Sequence, residues 1–315
     1  MDHSIQRALL IAGPTASGKS AIAITLARRF GGMVINADSM QVYADLRVLS
    51  ARPDDAELMQ APHALYGHVD GEQNYSTGLW LADVAAAIAL ARARGLLPII
   101  TGGTGLYFKA LTQGLSHIPP VPDEVRAATR LSAQGLSPQE LHARLSVCDP
   151  LMAAKLRPSD PQRIMRALEV YAATGQSLAH FQGARTAPLL PEAFGLFLAP
   201  ERPALLADID ARLDAMLARG ALDEVRALAA RGLDLALPVM RAHGVPHLAA
   251  HLRGDISLAE AGQRAKADTR AYAKRQLTFA RHQLPHLHWC APAEAVNAAA
   301  DMLNAARAEK TSDRM

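Results

Sequence analysis

The segment Ala8-Leu-Leu-Ile-Ala-Gly-Pro-Thr-Ala-Ser-Gly-Lys-Ser20 decides how this chain folds. Ala8–Ala12 reads as a buried strand, and Lys19–Phe30 carries apolar residues at helical spacing. The stretch between them, Gly13, Pro14, Thr15, Ala16, Ser17, Gly18, Lys19 and Ser20, fits G-x-x-x-x-G-K-[ST] in the strand-loop-helix setting that this motif requires. Such a loop turns its backbone N–H groups inward onto phosphate oxygens, and the helix that follows adds partial positive charge at its N-terminus. Lys19 is placed to reach the outer phosphates and the Ser20 hydroxyl to hold Mg²⁺. The motif therefore predicts a bound pyrophosphate before the rest of the molecule is known.

Working outward, β-rich runs at Met33–Asn36, Leu97–Thr101, Phe194–Ala199 and His286–Cys290 alternate with helical patterns. That alternation predicts an α/β fold, a P-loop NTPase-like parallel sheet covered by helices. From Ile118 to Arg185 the strand pattern stops, and polar helices are punctuated by Gly135, Pro138, Pro150, Pro158 and Pro161. We read 118–185 as an all-helical insertion domain and 1–117 with 186–315 as the core. Pro203–Gln283 reads as nearly all helix, and Ala291–Met315 as one helix fraying at its end.

With 315 residues and 33 Lys and Arg against 30 Asp and Glu, the net charge is only +3, so any contact with nucleic acid must come from local patches. The two cysteines, Cys148 and Cys290, form no C-x-x-C pair, which excludes a disulfide framework or zinc knuckle. The histidines are scattered and read as surface or capping residues. Met1–Arg7 is polar, and the most apolar run, Trp80–Ala91, is broken by Asp83. The expectation is a soluble cytoplasmic protein with no membrane contact and no stable protein partner, working as a monomer.

An ATP-using enzyme would place a metal-binding Asp after Leu97–Thr101, but Gly102-Gly103-Thr104-Gly105 follows instead. The acid stands after the second strand, at Asp38, on the sheet edge where open α/β folds keep their sites. From there its carboxylate can take a proton from an attacking hydroxyl or amine. It can equally cap the next turn, and Thr104 can equally cap the next helix.

Five segments in order resemble the bacterial tRNA dimethylallyltransferase family. They are the phosphate loop, Asn36–Tyr43, Gly102–Leu111, Asp160–Val170 and Tyr272–Gln276, and they span nearly the whole chain. The resemblance implies transfer of a dimethylallyl group from dimethylallyl diphosphate to N6 of adenosine 37 in a tRNA anticodon stem-loop, with Mg²⁺. It implies Asp38 as base, Thr104 beside the meeting point of adenine and donor, and Arg212 at the diphosphate. It further implies tRNA contacts by Asp38, Ser39, Met40, Gln41, Thr104, Arg126, Gln162, Arg163, Ile164, Met165, Arg166, Arg241, Lys274 and Arg275.

Without the resemblance, Arg166 would read as paired to Glu169. Lys266, Arg270 and Lys274 form a stripe suited to phosphates or to solvent, with only Asp268 as a nearby acid. The segment Gly244-Val245-Pro246 departs from the family's Gly-Tyr-Arg. Two readings compete with prenyl transfer, a P-loop small-molecule kinase using ATP and a non-catalytic RNA-binding nucleotide switch.

Overall fold

The computed structural model describes residues 8–183 and 185–312, so the polar stretch Met1–Arg7 and the last three residues of the predicted tail helix lie outside the described residues. The chain forms two compact units, Met1–Thr112 with Leu189–Met315, and Gln113–Pro188.

A short, wholly apolar strand belongs in the middle of a parallel sheet, where both faces are covered. Leu9–Ala12 (β1) lies there, all four residues buried, between Leu97–Gly102 (β4) and Phe194–Leu198 (β5). Gly32–Asn36 (β2) pairs with β4, His63–Ala64 (β3) with β2, and His288–Cys290 (β6) with β5. The order is β3-β2-β4-β1-β5-β6, parallel throughout. The predicted strand runs are all present with their ends moved by a residue or two. β3 was not predicted, because two half-buried residues carry no periodicity to read.

Alternation along β1 sends Leu9 and Ile11 to one core and Leu10 to the other. Lys19–Phe30 (α1) covers the first face, where Ile22, Ala23 and Leu26 are buried. Asp55–Leu58 (α2), Thr77–Ala93 (α3) and Gly105–Gln113 (α4) follow along the chain, and Trp80, Ile88 and Phe108 from α3 and α4 fill the second face.

The second unit holds Asp123–Ser132 (α5), Pro138–Cys148 (α6), Pro150–Ala153 (α7), Pro161–Thr174 (α8) and Leu178–Phe181 (α9) around Leu145, Ile164 and Val170. Pro138, Pro150 and Pro161 each open a helix, where the missing N–H costs nothing. Back in the first unit come Arg202–Ala218 (α10), Ala221–Ala230 (α11), Val245–Leu252 (α12), Leu258–Gln283 (α13) and Ala295–Ser312 (α14).

This topology builds the site. β2, β4 and β1 are consecutive neighbours in the sheet, so the three loops at their carboxyl ends emerge side by side.

Candidate active site

The loop after β1 curls tightly because two residues take left-handed backbone, Ala16 (φ 62°) and Gly18 (φ 80°), and Gly18 leads directly into α1. Ser17 is buried inside the curl, and its N–H donates to the Pro14 carbonyl. Lys19 folds back over the loop, its Nζ donating to Pro14 O at 2.6 Å. Burial pulls the Lys19 ammonium down to about 7, with Asp38 opposing the shift and Arg212 adding to it. Arg212, from α10, is likewise pulled down by burial and partly restored by Asp38. Among the described residues its guanidinium makes no hydrogen bond or ion pair, and it does not pair with Asp208. Two desolvated cations beside the phosphate loop are an arrangement suited to an anion.

Asp38 follows β2 in a turn held by Asn36, whose Oδ1 accepts the Asp38 N–H at 2.9 Å and whose Nδ2 donates to the Asp38 and Leu65 carbonyls. Asp38 Oδ1 accepts the Met40 N–H at 2.9 Å, so one carboxylate oxygen does cap the turn. Oδ2 has no hydrogen-bond partner among the described residues and faces Gly103, where a Cβ would stand 3.4 Å away. The Thr104 hydroxyl does not cap its own helix. It accepts the Ser39 N–H at 2.9 Å and donates to Ser39 Oγ at 3.2 Å, tying the loop after β4 to the loop after β2.

Two joined chambers lie above these loops. The polar one, about 240 Å³, is lined by the phosphate loop, Gln41, Glu57, Tyr66, Thr101 and Arg212. The other, about 250 Å³, is walled by Leu49, Ile209, Leu213, Met216, His243 and Tyr272. Asp38 and Arg212 border both. Arg241, Ser39 and Met40 border the second, while Gln41 holds its far rim by donating to the Ser50 and Ala51 carbonyls. Burial raises the Tyr272 hydroxyl's pKa, and Asp38 adds to this. The ring of Tyr272 packs on His243 with centroids 4.4 Å apart. Burial, then Arg275, holds His243 below its usual range, so the pair forms a neutral aromatic wall. A polar cradle opening onto an apolar chamber, with a carboxylate at the join, suits a diphosphate ester with a hydrocarbon tail.

A family model described as IPP transferase matches residues 41–283, and one described as isopentenyl transferase matches residues 6–69. The chain belongs to the IPP transferase family. A tRNA dimethylallyltransferase from Beijerinckia indica is 63% identical over 290 residues, 91% of this chain and 96% of the relative. One from Methylocella silvestris is 62% identical over the same shares. Among solved structures, the tRNA isopentenylpyrophosphate transferase of Bacillus halodurans superposes with a TM-score of 0.67 at 29% identity, covering 97% of this chain and 99% of its own. A eukaryotic dimethylallyltransferase acting on tRNA gives 0.75 at 28% identity, covering 91% of this chain and 74% of its own.

Within this IPP transferase, the residues implied as tRNA contacts on the helical unit are not equivalent. Gln162 and Arg163 are exposed on α8, Arg163 reaching Asp160 only at 3.4 Å. Arg166 lies 3.8 Å from Glu169, a buried acid whose nearer partner is Arg130 at 2.8 Å. Arg126 pairs with Asp123 at 2.6 Å and donates to the Val121 carbonyl. Ile164 is fully buried in the unit's core, and Met165 packs against that core. α8 thus turns the Ile164 side chain inward, away from the exposed face that carries Gln162 and Arg163.

On α13, Lys274 and Arg275 are exposed, Arg275 lying over the Tyr272 ring at 5.7 Å. The predicted basic stripe is not an open one. Lys266 pairs with Asp214 at 2.7 Å, and Arg270 makes two 2.9 Å bonds to Asp210. His243, Tyr272 and Gln276 were not identified from the sequence as parts of the site. Tyr272 and Gln276 stand within the Tyr272–Gln276 segment, but what places them and His243 at the site is tertiary packing.

Proposed function

We propose that this chain transfers a dimethylallyl group from dimethylallyl diphosphate to N6 of adenosine 37 in the tRNA anticodon loop, giving N6-(dimethylallyl)adenosine and diphosphate. The observation that carries the reading is the junction at Asp38, where a carboxylate oxygen with no hydrogen-bond partner among the described residues stands between a polar cradle and an apolar chamber. The resemblance to named tRNA dimethylallyltransferases supports both substrates.

In this reading the diphosphate occupies the phosphate loop, neutralised by Lys19 and Arg212, with the loop N–H groups around it. The five-carbon tail lies against Leu49, Leu213 and Met216. N6 attacks C1, the C1–O bond breaks with its electron pair leaving on diphosphate, and the amine proton passes to Asp38 Oδ2. An exocyclic amine is a weak nucleophile, so alignment and stabilisation of the departing charge supply most of the acceleration. Asp38 Oδ1 stays on the Met40 N–H throughout, which keeps Oδ2 aimed at the amine.

Among the described residues no cluster of three or more His, Cys, Asp and Glu is placed to hold a metal. Ser20 and the buried Thr101 hydroxyl, which has no hydrogen-bond partner among the described residues, line the polar chamber, a hard-oxygen donor set that fits Mg²⁺. Bound there, Mg²⁺ would add positive charge at the leaving group. An adenine inside a loop must unstack to enter, at lower cost than from a duplex.

Incubation with Mg²⁺, donor and two unmodified tRNAs differing only in adenosine or guanosine at position 37 tests the acceptor. Nucleoside mass spectrometry should find N6-(dimethylallyl)adenosine from the first alone; equal modification of both, or of neither, contradicts the assignment.

Lys19 gives a pH signature. A bound anion holds this lysine charged, whereas free it titrates at about 7. Donor affinity should therefore be full below pH 7 and fall above it by up to about tenfold per unit. The donor's own last ionisation, about 6 as in a phosphate monoester, is complete by then. Calorimetric titration without tRNA between pH 7 and 9 should show this slope in wild type and a flat, weaker profile in Lys19→Ala; a flat wild-type profile contradicts it.

For the RNA side, Arg163→Ala should weaken tRNA binding and flatten the log Kd against log salt slope by about one unit, as for a lost phosphate contact. Weaker binding with an unchanged slope would mean a base contact, and unchanged binding would mean that Arg163 faces only solvent or Asp160.

A further inference from the structure

Gln276 is only 7% exposed, about two turns before the C-terminal end of α13, and both ends of its carboxamide are taken by main-chain atoms of different loops. Its Oε1 accepts the Thr15 N–H of the phosphate loop at 2.9 Å, and its Nε2 donates to the Gly103 carbonyl at 2.8 Å. Gly103 immediately precedes Thr104. One side chain thus spans from the loop after β1, which cradles diphosphate, to the loop after β4, beside Asp38. The task needs a donor and a strong acceptor on one rigid group of this length: glutamate lacks the donor, methionine has no donor and only a weak sulfur acceptor, and lysine lacks the acceptor.

Gly103 is cut to fit. A Cβ there would stand 2.3 Å from Gln276 Nε2, well inside contact distance. Tyr272, one turn earlier on the same face of α13, lines the apolar chamber with its ring, and its hydroxyl interacts with Thr104 and Gln276. Lys274 and Arg275, its neighbours in the motif that suggested RNA contact, are exposed, while Gln276 points inward.

We propose that Gln276 is a positioning residue for the transfer reaction, a strut that sets the separation and tilt between the diphosphate cradle and the Gly103–Thr104 turn where the amine meets Asp38. This rests on the function proposed above. In-line displacement requires the amine, C1 and the leaving oxygen to be aligned, and a misplacement of about 1 Å costs about a hundredfold. The strut touches neither substrate's reacting atoms, so its removal acts on alignment.

The test compares Gln276→Met, Gly103→Ala, Gln276→Ala and the Gln276→Ala/Gly103→Ala double variant by kcat, KM for each substrate and unfolding midpoint. Wild-type transfer is measured first; a wild-type chain that transfers nothing contradicts the function, and this role with it. Given wild-type transfer, Gln276→Met should lower kcat by about 10- to 100-fold with both KM values within about threefold. Gly103→Ala should lower kcat by about tenfold alone, but by less than about twofold in the Gln276→Ala background, where the vacated space takes the methyl. Should Gln276→Met fail to fold, Gln276→Glu keeps the Thr15 acceptor and is read in the same way. A raised KM for tRNA with unchanged kcat, an unchanged kcat and KM, or an equal Gly103→Ala cost in both backgrounds overturns the strut and leaves the function standing.

Discussion

Asp38→Asn is expected to lower kcat by about 10²–10⁴ while tRNA affinity stays within about twofold. The substitution is chosen for what it preserves. Asp38 Oδ1 accepts the Met40 N–H, and the Asp38 backbone is held at both ends by Asn36, so an asparagine oxygen can keep the turn after β2 in place. What it removes is the ability of the second oxygen to take a proton from N6 as the C1–N6 bond forms. Asp38→Ala should lose the same rate and also loosen the segment carrying Ser39 and Met40, so its tRNA affinity should fall further than that of the asparagine variant. Single-turnover transfer at saturating substrates separates the two effects. An Asp38→Asn enzyme with nearly normal kcat and weakened tRNA binding would return Asp38 to the role of a turn cap.

Lys19→Ala should lower kcat by about 10²–10³, the usual cost of removing a charge stabiliser at a leaving group. Its effect on stability should run the opposite way. In the free protein the lysine is held down at about 7 from an unfolded value of 10.5, so the unfolded chain binds the extra proton between those limits. Wild-type stability therefore gains from this group as pH rises from 7 to 10.5, and the charged form is a burden below 7. Lys19→Ala should be at least as stable as wild type at pH 6, and it should lose the part of the pH-dependent rise that this lysine contributes. Thermal unfolding at several pH values, paired with the kinetics, checks both statements. A variant that is both inactive and markedly less stable at pH 6 would show that the lysine holds the loop together instead of serving a bound anion. Arg212→Ala, which removes the second desolvated cation, should cost activity of the same order.

What could be read in the sequence was local. The phosphate loop declares itself because glycine placement and the strand-loop-helix switch are all within Ala8–Phe30, and Asp38 because it ends an apolar strand. The basic stripe on α13 misled because its partners are distant in the chain: Asp210 and Asp214 lie 60 and 52 residues before Arg270 and Lys266, one helix over. Only Asp268 is visible locally. Within Asp160–Val170 the sequence does not say which residues face outward: α8 exposes Gln162 and Arg163 and buries the Ile164 side chain. Gln276 stands within the Tyr272–Gln276 segment, yet its partners are 261 and 173 residues away, and no spacing rule connects them. The chemistry of the site is therefore announced by short motifs, while its dimensions are set by long-range contacts from α10 and α13.

The proposed function has the phosphate loop cradle a leaving pyrophosphate and not ATP. The most direct measurement offers the purified protein, with Mg²⁺ and unmodified tRNA, dimethylallyl diphosphate labelled at C1 in one reaction and γ-labelled ATP in another. In the first, label should appear on the RNA with one pyrophosphate released per group transferred; in the second, no phosphate should be released. ATP turnover with no label on the RNA would contradict it.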